Sequence, residues 1–596
     1  MAGYEVNGVA VSTILGYISD KSIAIPEIQR PFVWESWQVR DLIDSLYKGY
    51  PVGFIIVWKS QNVKTKDGGS SEGKHILIDG QQRIVALTAA ILGHEVLTKK
   101  YKKIRIKIAF NIKTECFETC NPSIMKNDEW ISDISTVLAD SWFDVMFLQK
   151  YAEKHDIEFQ EVVNRINKLK EIKTAQIGRI ELTKFDIDTV TEIFVRINSK
   201  GTALSQADFA MSKISVNESY DGNNIRKAID LFCHFIETPT DFAEIRDNDH
   251  EFSSKVIFNN IEWSHNYVDN IYRPNYTDLL RVAFTYRFKR GKLEDLVALL
   301  SGRDFETREY REDVIERSFK ELYAGVKEFV NETNYKRFIM IVKSTGIINE
   351  DLIRSQSVLN FAYMLYLLLR SKSISPEKIE TAVKKWIVLS ILTQRYSASP
   401  ESMFDYDIKR FDQAVDPLNY IKSVEDGELS EAFWKITLVN KLDTSVSSSP
   451  YLKLFLASQI HDGCRAFLSK SHTVRSLLED RGDVHHIFPK NYLQKSGYDQ
   501  KSMYNQIGNY VMLQQEFNIA VSNKAPNVYF SELKNQVNGG EKKYGAIDTM
   551  NDLLANLKEN AIPEEIFNMT YENYYDFLNK RRNLMADRIK HYYFSL

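Results

Sequence analysis

Asp483-Val484-His485-His486-Ile487-Phe488-Pro489-Lys490 holds the only adjacent pair among the eleven histidines of this chain. The run predicts a short strand over 483–488. On a regular strand neighbouring side chains point to opposite faces, so His485 and His486 can serve one site only where the strand ends, and Pro489 supplies an ending. Further on comes Gly508-Asn509-Tyr510-Val511-Met512-Leu513, and nine residues beyond Asn509 stands Asn518.

These residue types suit one chemistry. Hydrolysis of a phosphodiester needs an activated water, a cation on the scissile phosphate and stabilisation of the departing 3′ oxygen. A histidine serves as a base near neutral pH. A second histidine and an asparagine can hold one divalent ion and leave positions for water and phosphate. The middle asparagine can orient the base through its ring nitrogen or through a nearby backbone group.

In order and spacing the three motifs resemble the HNH endonucleases, in the branch whose first motif reads acid-or-His, His, Ile, any residue, Pro. The resemblance implies a ββα-metal fold with His486 as general base, Asn509 as the orienting residue, and His485 and Asn518 as metal ligands, with Asp483 beside them. It implies Mg²⁺ or Mn²⁺ as cofactor. His485 stands where an acid is common, which favours softer ions. The zinc-ribbon cysteines of many such domains are absent.

Three more motifs precede residue 210: Ile25-Pro26-Glu27-Ile28-Gln29-Arg30-Pro31-Phe32, Asp79-Gly80-Gln81-Gln82-Arg83, and Phe194-Val195-Arg196-Ile197-Asn198-Ser199-Lys200-Gly201. The second leaves a strand through a glycine turn and opens a helix, an arrangement that presents backbone N–H groups to an anion. Arg30 and Arg83 can add bidentate phosphate contacts, and Asp79 can hold a Mg²⁺ that bridges to the phosphate. The competing reading is capping: Asp79 with Gln82 fits a capping box, as does Ser205 with Asp208. Capping leaves Gln29, Arg30, Gln81 and Arg83 unexplained.

Strands are expected at 54–58, 75–79, 104–112 and 178–183, and helices at 37–47 and 83–92. From about 216 to 440 the pattern is helical, at 277–288, 313–330, 357–370 and 377–395. Residues 443–450 read as a linker, followed by a helix over 451–468. The length of 596 residues points to about three domains. They are an α/β domain over 1–215, a helical connecting domain over 216–442 and the HNH domain over 451–596, a multidomain α+β chain.

The net charge of −3 places any nucleic-acid contact on local patches, for which the basic runs 99–107 and 580–590 are the candidates and a solvated face the alternative. Cys116, Cys120, Cys233 and Cys464 lack zinc-site spacing and read as thiols of a reducing compartment. No apolar run reaches the roughly 18 residues a membrane span needs, and there is no signal pattern, so the expected location is cytoplasmic.

The IPEIQR, IDGQQR and FVRINSKG motifs resemble the N-terminal domain of the GmrSD type IV restriction enzymes, which is similar to the ParB/sulfiredoxin fold and associated with nucleoside triphosphate binding and hydrolysis. Its usual partner in one polypeptide is an HNH domain of the type described above, in the same order. The pairing is similar also to that of the SspE-like phosphorothioate-sensing proteins. The resemblance implies a nucleotide site built from Gln29, Arg30, Asp79, Gly80, Gln81, Gln82 and Arg83, with Arg196, Asn198 and Lys200 in support. It implies a nucleotide-gated nuclease that cuts modified double-stranded phage DNA, with no membrane partner and a homodimer as one option. The rivals are an NTPase-regulated DNA-binding protein whose HNH fold is inactive, a nuclease that acts without nucleotide, and a phosphorothioate-sensing nicking enzyme.

Overall fold

The alternation Phe54-Ile55-Ile56-Val57-Trp58 organises the first sheet. The computed structural model describes residues 3–20, 22–24, 32, 34–59, 75–98, 103–139, 144–183, 193, 205–480 and 484–596. It divides into a unit of Met1–Asn259 with Val297–Phe319 and a unit of Asn260–Leu296 with Lys320–Leu596, so residues 216–442 are shared between them.

In the first unit the strands are β1 (Tyr4–Ala10), β2 (Ile23–Ala24), β3 (Phe54–Lys59), β4 (His75–Asp79), β5 (Glu95–Leu97), β6 (Lys103–Arg105), β7 (Ile108–Asn111), β8 (Cys116–Thr119), β9 (Trp130–Ile131) and β10 (Gln176–Leu182). Five of them form one sheet in the order β1-β10-β3-β4-β2. It is mixed: β10 runs parallel to β3, while β4 pairs antiparallel with β3 and parallel with β2. Both faces are covered. Ile55 and Val57 enter a core with Leu77 and Ile84, and their neighbours Ile56 and Trp58 enter another with Ile78 and Leu182, the two-residue period of a strand. Helix α1 (Val11–Ser19) buries Val11, Ile14 and Leu15, α2 (Ser36–Tyr47) buries Val39, Leu42, Ile43 and Leu46, and α3 (Gln81–Leu87) buries Ile84 and Leu87. The chain continues from α3 through a wider π-turn over Thr88–Leu92. Helix α4 (Gln206–Val216) opens on a capping box between Ser205 and Asp208.

Residues 104–112, expected as one strand, are two. β6 pairs with β5, whereas β7 lies between β8 and β9. Ile106 and Ile108 are both buried, and Lys107 accepts a hydrogen bond from the Cys120 amide, so the pairing partner changes between them. Within the basic run 99–107, Arg105 pairs with Asp133 at 2.9 Å instead of facing solvent. All four cysteines are free thiols, with Cys464 buried and Cys116 exposed.

The second unit is mainly helical. Helices α5 (Tyr276–Phe288), α6 (Gln356–Ser371) and α7 (Pro376–Leu392) fall where the apolar spacing places them, with Pro376 in the first turn of α7. Helix α8 (Pro450–His461) is shorter than the expected 451–468. Gly463 takes a positive φ of 66° after its end, and the Phe467 amide donates to Met512, which carries the chain onto a sheet edge. The 443–450 stretch is held in place: Asp443 pairs with Arg582 at 2.7 Å, and the Thr444 carbonyl accepts from Ile507. Beyond it lie β11 (Val484–His486), α9 (Lys501–Tyr504), β12 (Tyr510–Met512), α10 (Gln515–Val521), α11 (Pro526–Val537) and α12 (Tyr574–Ser595). Their apolar faces share one core that contains Ile487, Phe488, Val511, Tyr529, Phe530, Phe577 and Leu578. No helix among the described residues is long and apolar enough to cross a membrane.

Candidate functional site

β11 and β12 form an antiparallel ribbon in the register Val484↔Met512, His485↔Val511, His486↔Tyr510. β11 ends at His486, the last rung of the ladder, so the regular alternation of faces stops at the histidine pair. Beyond His486 a single side chain takes over. The Ile487 amide donates to the Asn509 carbonyl at 2.9 Å, and the Phe488 amide donates to Asn509 Oδ1 at 2.8 Å. Asn509 Nδ2 donates to the carbonyls of Phe488 at 3.0 Å and Tyr504 at 3.3 Å. Asn509 is fully buried. Each of these backbone groups would cost about 1–3 kcal/mol if left unpaired. Of the two ways the middle asparagine could act, the structure has the backbone one.

The ring of His486 is held by a different residue. Its Nε2 lies 2.9 Å from Asn505 Oδ1, just past the end of α9, and Tyr510 meets the ring edge-on at 5.3 Å. An amide oxygen only accepts, so Nε2 carries the proton and Nδ1 keeps its lone pair. Burial holds the imidazole below its ordinary range, against the Asn505 hydrogen bond, and His485 and Lys490 add to the lowering.

Two more residues fix the loops on either side. Tyr529 Oη donates to the Ile487 carbonyl at 3.0 Å. Arg581 Nη1 donates to the Gly508 carbonyl at 2.8 Å, and its Nη2 donates to Asn560 at 3.2 Å. Arg581 is fully buried, and burial pushes its guanidinium down to about 9, still a cation at neutral pH.

The other members of the expected constellation are placed as follows. Asn518 sits on α10, directly after the ribbon, and like His485 it is partly exposed. Asp483 lies outside the described residues. Among the described residues no three His, Cys, Asp or Glu side chains gather as a metal site. His485 and Asn518, an imidazole and a carboxamide that are both partly exposed, are donor types suited to a divalent ion that keeps open positions.

At the first site β4 ends at Asp79, which pairs with Ile56 in the ladder, and Gly80 precedes α3. Gly80 has φ +96°, and a Cβ there would stand 2.8 Å from Ile55 Cγ2, so the turn admits only glycine. Gly80 is therefore the N-cap. The Asp79–Gln82 capping box does not form, because it needs the helix to begin one residue earlier. No side chain caps α3, and Gln81 is buried. Arg83 folds back, and its Nη1 donates to the Phe54 carbonyl. Gln29, Arg30, Arg196, Asn198 and Lys200 lie outside the described residues.

The cations of the basic run 580–590 are partly exposed but paired with acids, apart from the buried Arg581. Lys580 pairs with Glu565, Arg582 with Asp443, Arg588 with Asp462 and Lys590 with Glu431, while Arg581 is internal. Sequence reasoning missed Asn505, Tyr529 and Arg581. The only signal for Arg581 was the charge run itself, which pointed outward.

Residues 11–215 match the family model of the GmrSD restriction endonuclease N-terminal domain, and residues 426–558 match that of the GmrSD restriction endonuclease C-terminal domain. An uncharacterized protein of Methanocaldococcus jannaschii is 23% identical, with 95% of this chain and 96% of that protein covered.

Asn509→Ala is expected to lower the stability of the second unit by about 2–4 kcal/mol, because it strands the Phe488 amide and carbonyl in the core and leaves the Tyr504 carbonyl only its 3.4 Å bond from Tyr574. Urea denaturation followed by tryptophan fluorescence measures this; an unchanged midpoint would contradict the clamp.

Proposed function

Because this chain belongs to the GmrSD restriction endonuclease family, we propose that it is a type IV enzyme whose β11–β12 ribbon and following helix form an HNH nuclease site for modified double-stranded phage DNA. The observation that carries the reading is the His486 ring, fixed through Nε2 by Asn505 with Nδ1 left as acceptor. In the proposed reaction Nδ1 takes a proton from water as the oxygen attacks phosphorus. The bond from phosphorus to the 3′ oxygen breaks, that oxygen collects a proton from solvent, and a 5′-phosphate end remains. The Asn509 clamp holds the loop after His486 still during this step, so the base does not drift from its water. A divalent ion, Mg²⁺ or Mn²⁺, held by His485, Asn518 and Asp483 would neutralise charge on the phosphate and the leaving oxygen.

The uncapped start of α3, with Asp79 before it and Arg83 in its first turn, supports a nucleoside triphosphate site in the N-terminal domain, completed by Gln29 and Arg30. Arg196, Asn198 and Lys200 are assigned to its support. Nucleotide there would bias cleavage only to the extent that it binds two states of the protein unequally.

His486→Ala is expected to reduce cleavage of modified phage DNA by about 10²–10⁴-fold without altering the melting curve. Near-native cutting by the folded variant would sink the base assignment. Cleavage should stop in excess chelator, and His485→Ala or Asn518→Ala should raise the concentration of Mn²⁺ that restores half of it. Full activity with chelator present would remove the metal from the mechanism.

For the first site, Asp79→Ala should abolish triphosphate hydrolysis, whereas Arg83→Ala should lose hydrolysis together with some stability from its bond to Phe54. Melting and phosphate release recorded on one preparation separate the effects, and hydrolysis that persists in a folded Asp79→Ala protein would refute the nucleotide site.

A further inference from the structure

The second unit contains a cavity of about 290 Å³ that neither candidate site uses. Leu352, Ile353, Val358, Ile391 and Pro450 give it an apolar slot. Its charged lining residues are both cations, Arg354 and Lys453. Lys453 projects from α8 and is half-buried; loss of water pushes its ammonium below the ordinary range, Arg354 adds to the lowering, and Asp351 alone opposes it. One carboxylate faces two cations, so the cavity is net positive, and an anion placed there would offset the repulsion between them.

A third feature is independent of charge. Ser390, on α7, is 1% exposed and lines the cavity, and its hydroxyl has no hydrogen-bond partner. A buried hydroxyl left unpaired is destabilising, and such groups are rare unless something outside the chain satisfies them.

Size and charge narrow the occupant. The cavity is far larger than a phosphate and sits at the lower end of the roughly 300–1,000 Å³ typical of small-molecule sites. The two cations can pair the oxygens of one terminal phosphate but fall short of a triphosphate. The apolar slot suits a planar base, and the hydroxyls of Ser355 and Ser448 suit a sugar.

We propose that this cavity binds a nucleoside 5′-monophosphate, with the phosphate between Arg354 and Lys453, the base in the apolar slot and the Ser390 hydroxyl as hydrogen-bond partner. Two sources share that chemistry: a free mononucleotide, and the 5′-phosphorylated end of a DNA strand. The site itself stands apart from the proposed cleavage reaction, and only the second source draws on it. The location ties the occupant to the ribbon, because α8 carries Lys453 toward the cavity and Leu452, Leu456 and Gln459 toward Val484, Tyr510 and Val511.

The test is calorimetric titration of the full-length chain in an Arg83→Ala background, which removes the proposed triphosphate site. AMP, GMP, CMP and UMP are the probes, with adenosine and inorganic phosphate as controls. At least one monophosphate should bind at one site per chain, ten-fold or more tighter than either control, and Lys453→Met and Arg354→Gln should each weaken it ten-fold or more with melting curves unchanged. A 5′-phosphorylated tetranucleotide that binds while its unphosphorylated form does not assigns the strand end as source; binding of mononucleotides alone assigns the free nucleotide. The proposal is overturned by no binding at millimolar monophosphate, by inorganic phosphate binding as tightly as the nucleotides, or by unchanged affinity in both folded variants. Because the Arg83 site is absent throughout, none of these outcomes depends on triphosphate binding in the N-terminal domain.

Discussion

The buried carboxamide of Asn509 bears on everything around the histidine pair. Its oxygen and nitrogen close on the amide and carbonyl of Phe488, and the backbone carbonyl of the same residue holds Ile487. A strand that stops inside a protein exposes backbone donors and acceptors that water cannot reach, and they must be matched or the stop is not tolerated. One residue, in the turn that precedes β12, matches them, so β11 can end at His486 and the chain can turn into the Phe488–Pro489 bend without loss. The apolar residues on both sides, Ile487 and Phe488, then drop into the core shared with Tyr529 and Phe577.

The same constraint explains an internal arginine. Gly508, directly before Asn509, has its carbonyl turned into the core, and Arg581 reaches it from α12. A buried cation without a carboxylate partner is costly, and removing a partner from such a group costs more still. The chain accepts that cost where two carbonyls, of Gly508 and Asn560, need a donor that no nearby backbone supplies. The neighbours of Arg581 in the basic run are likewise tied to acids, which leaves the terminal helix a structural brace for the loop that carries Asn509.

A steric constraint plays the corresponding part at the start of α3. The Cβ-free approach of Gly80 to Ile55 lets β4 turn into the helix within one residue, and the positive φ excludes other residue types. Asp79 therefore remains in the sheet, and the first turn of the helix is left without a side-chain cap.

Local pattern was enough for much of this molecule. The strands at 54–58, 75–79 and 178–183 and the helices of the second unit follow from apolar periodicity, since the period of a buried face is written in neighbouring residues. The order of His485, His486, Asn509 and Asn518, and the glycine turn after Asp79, were likewise visible as short motifs. What the sequence could not decide were contacts between residues far apart in the chain. Asn505 reaches His486 across 19 positions, Tyr529 reaches Ile487 across 42, and Arg581 reaches Gly508 across 73. No periodicity links such pairs, so only the packed structure selects them. The same holds for the split of 104–112 into two strands and for the inward turn of Arg581: hydrogen-bond partners and burial set these outcomes, and both are properties of the fold as a whole.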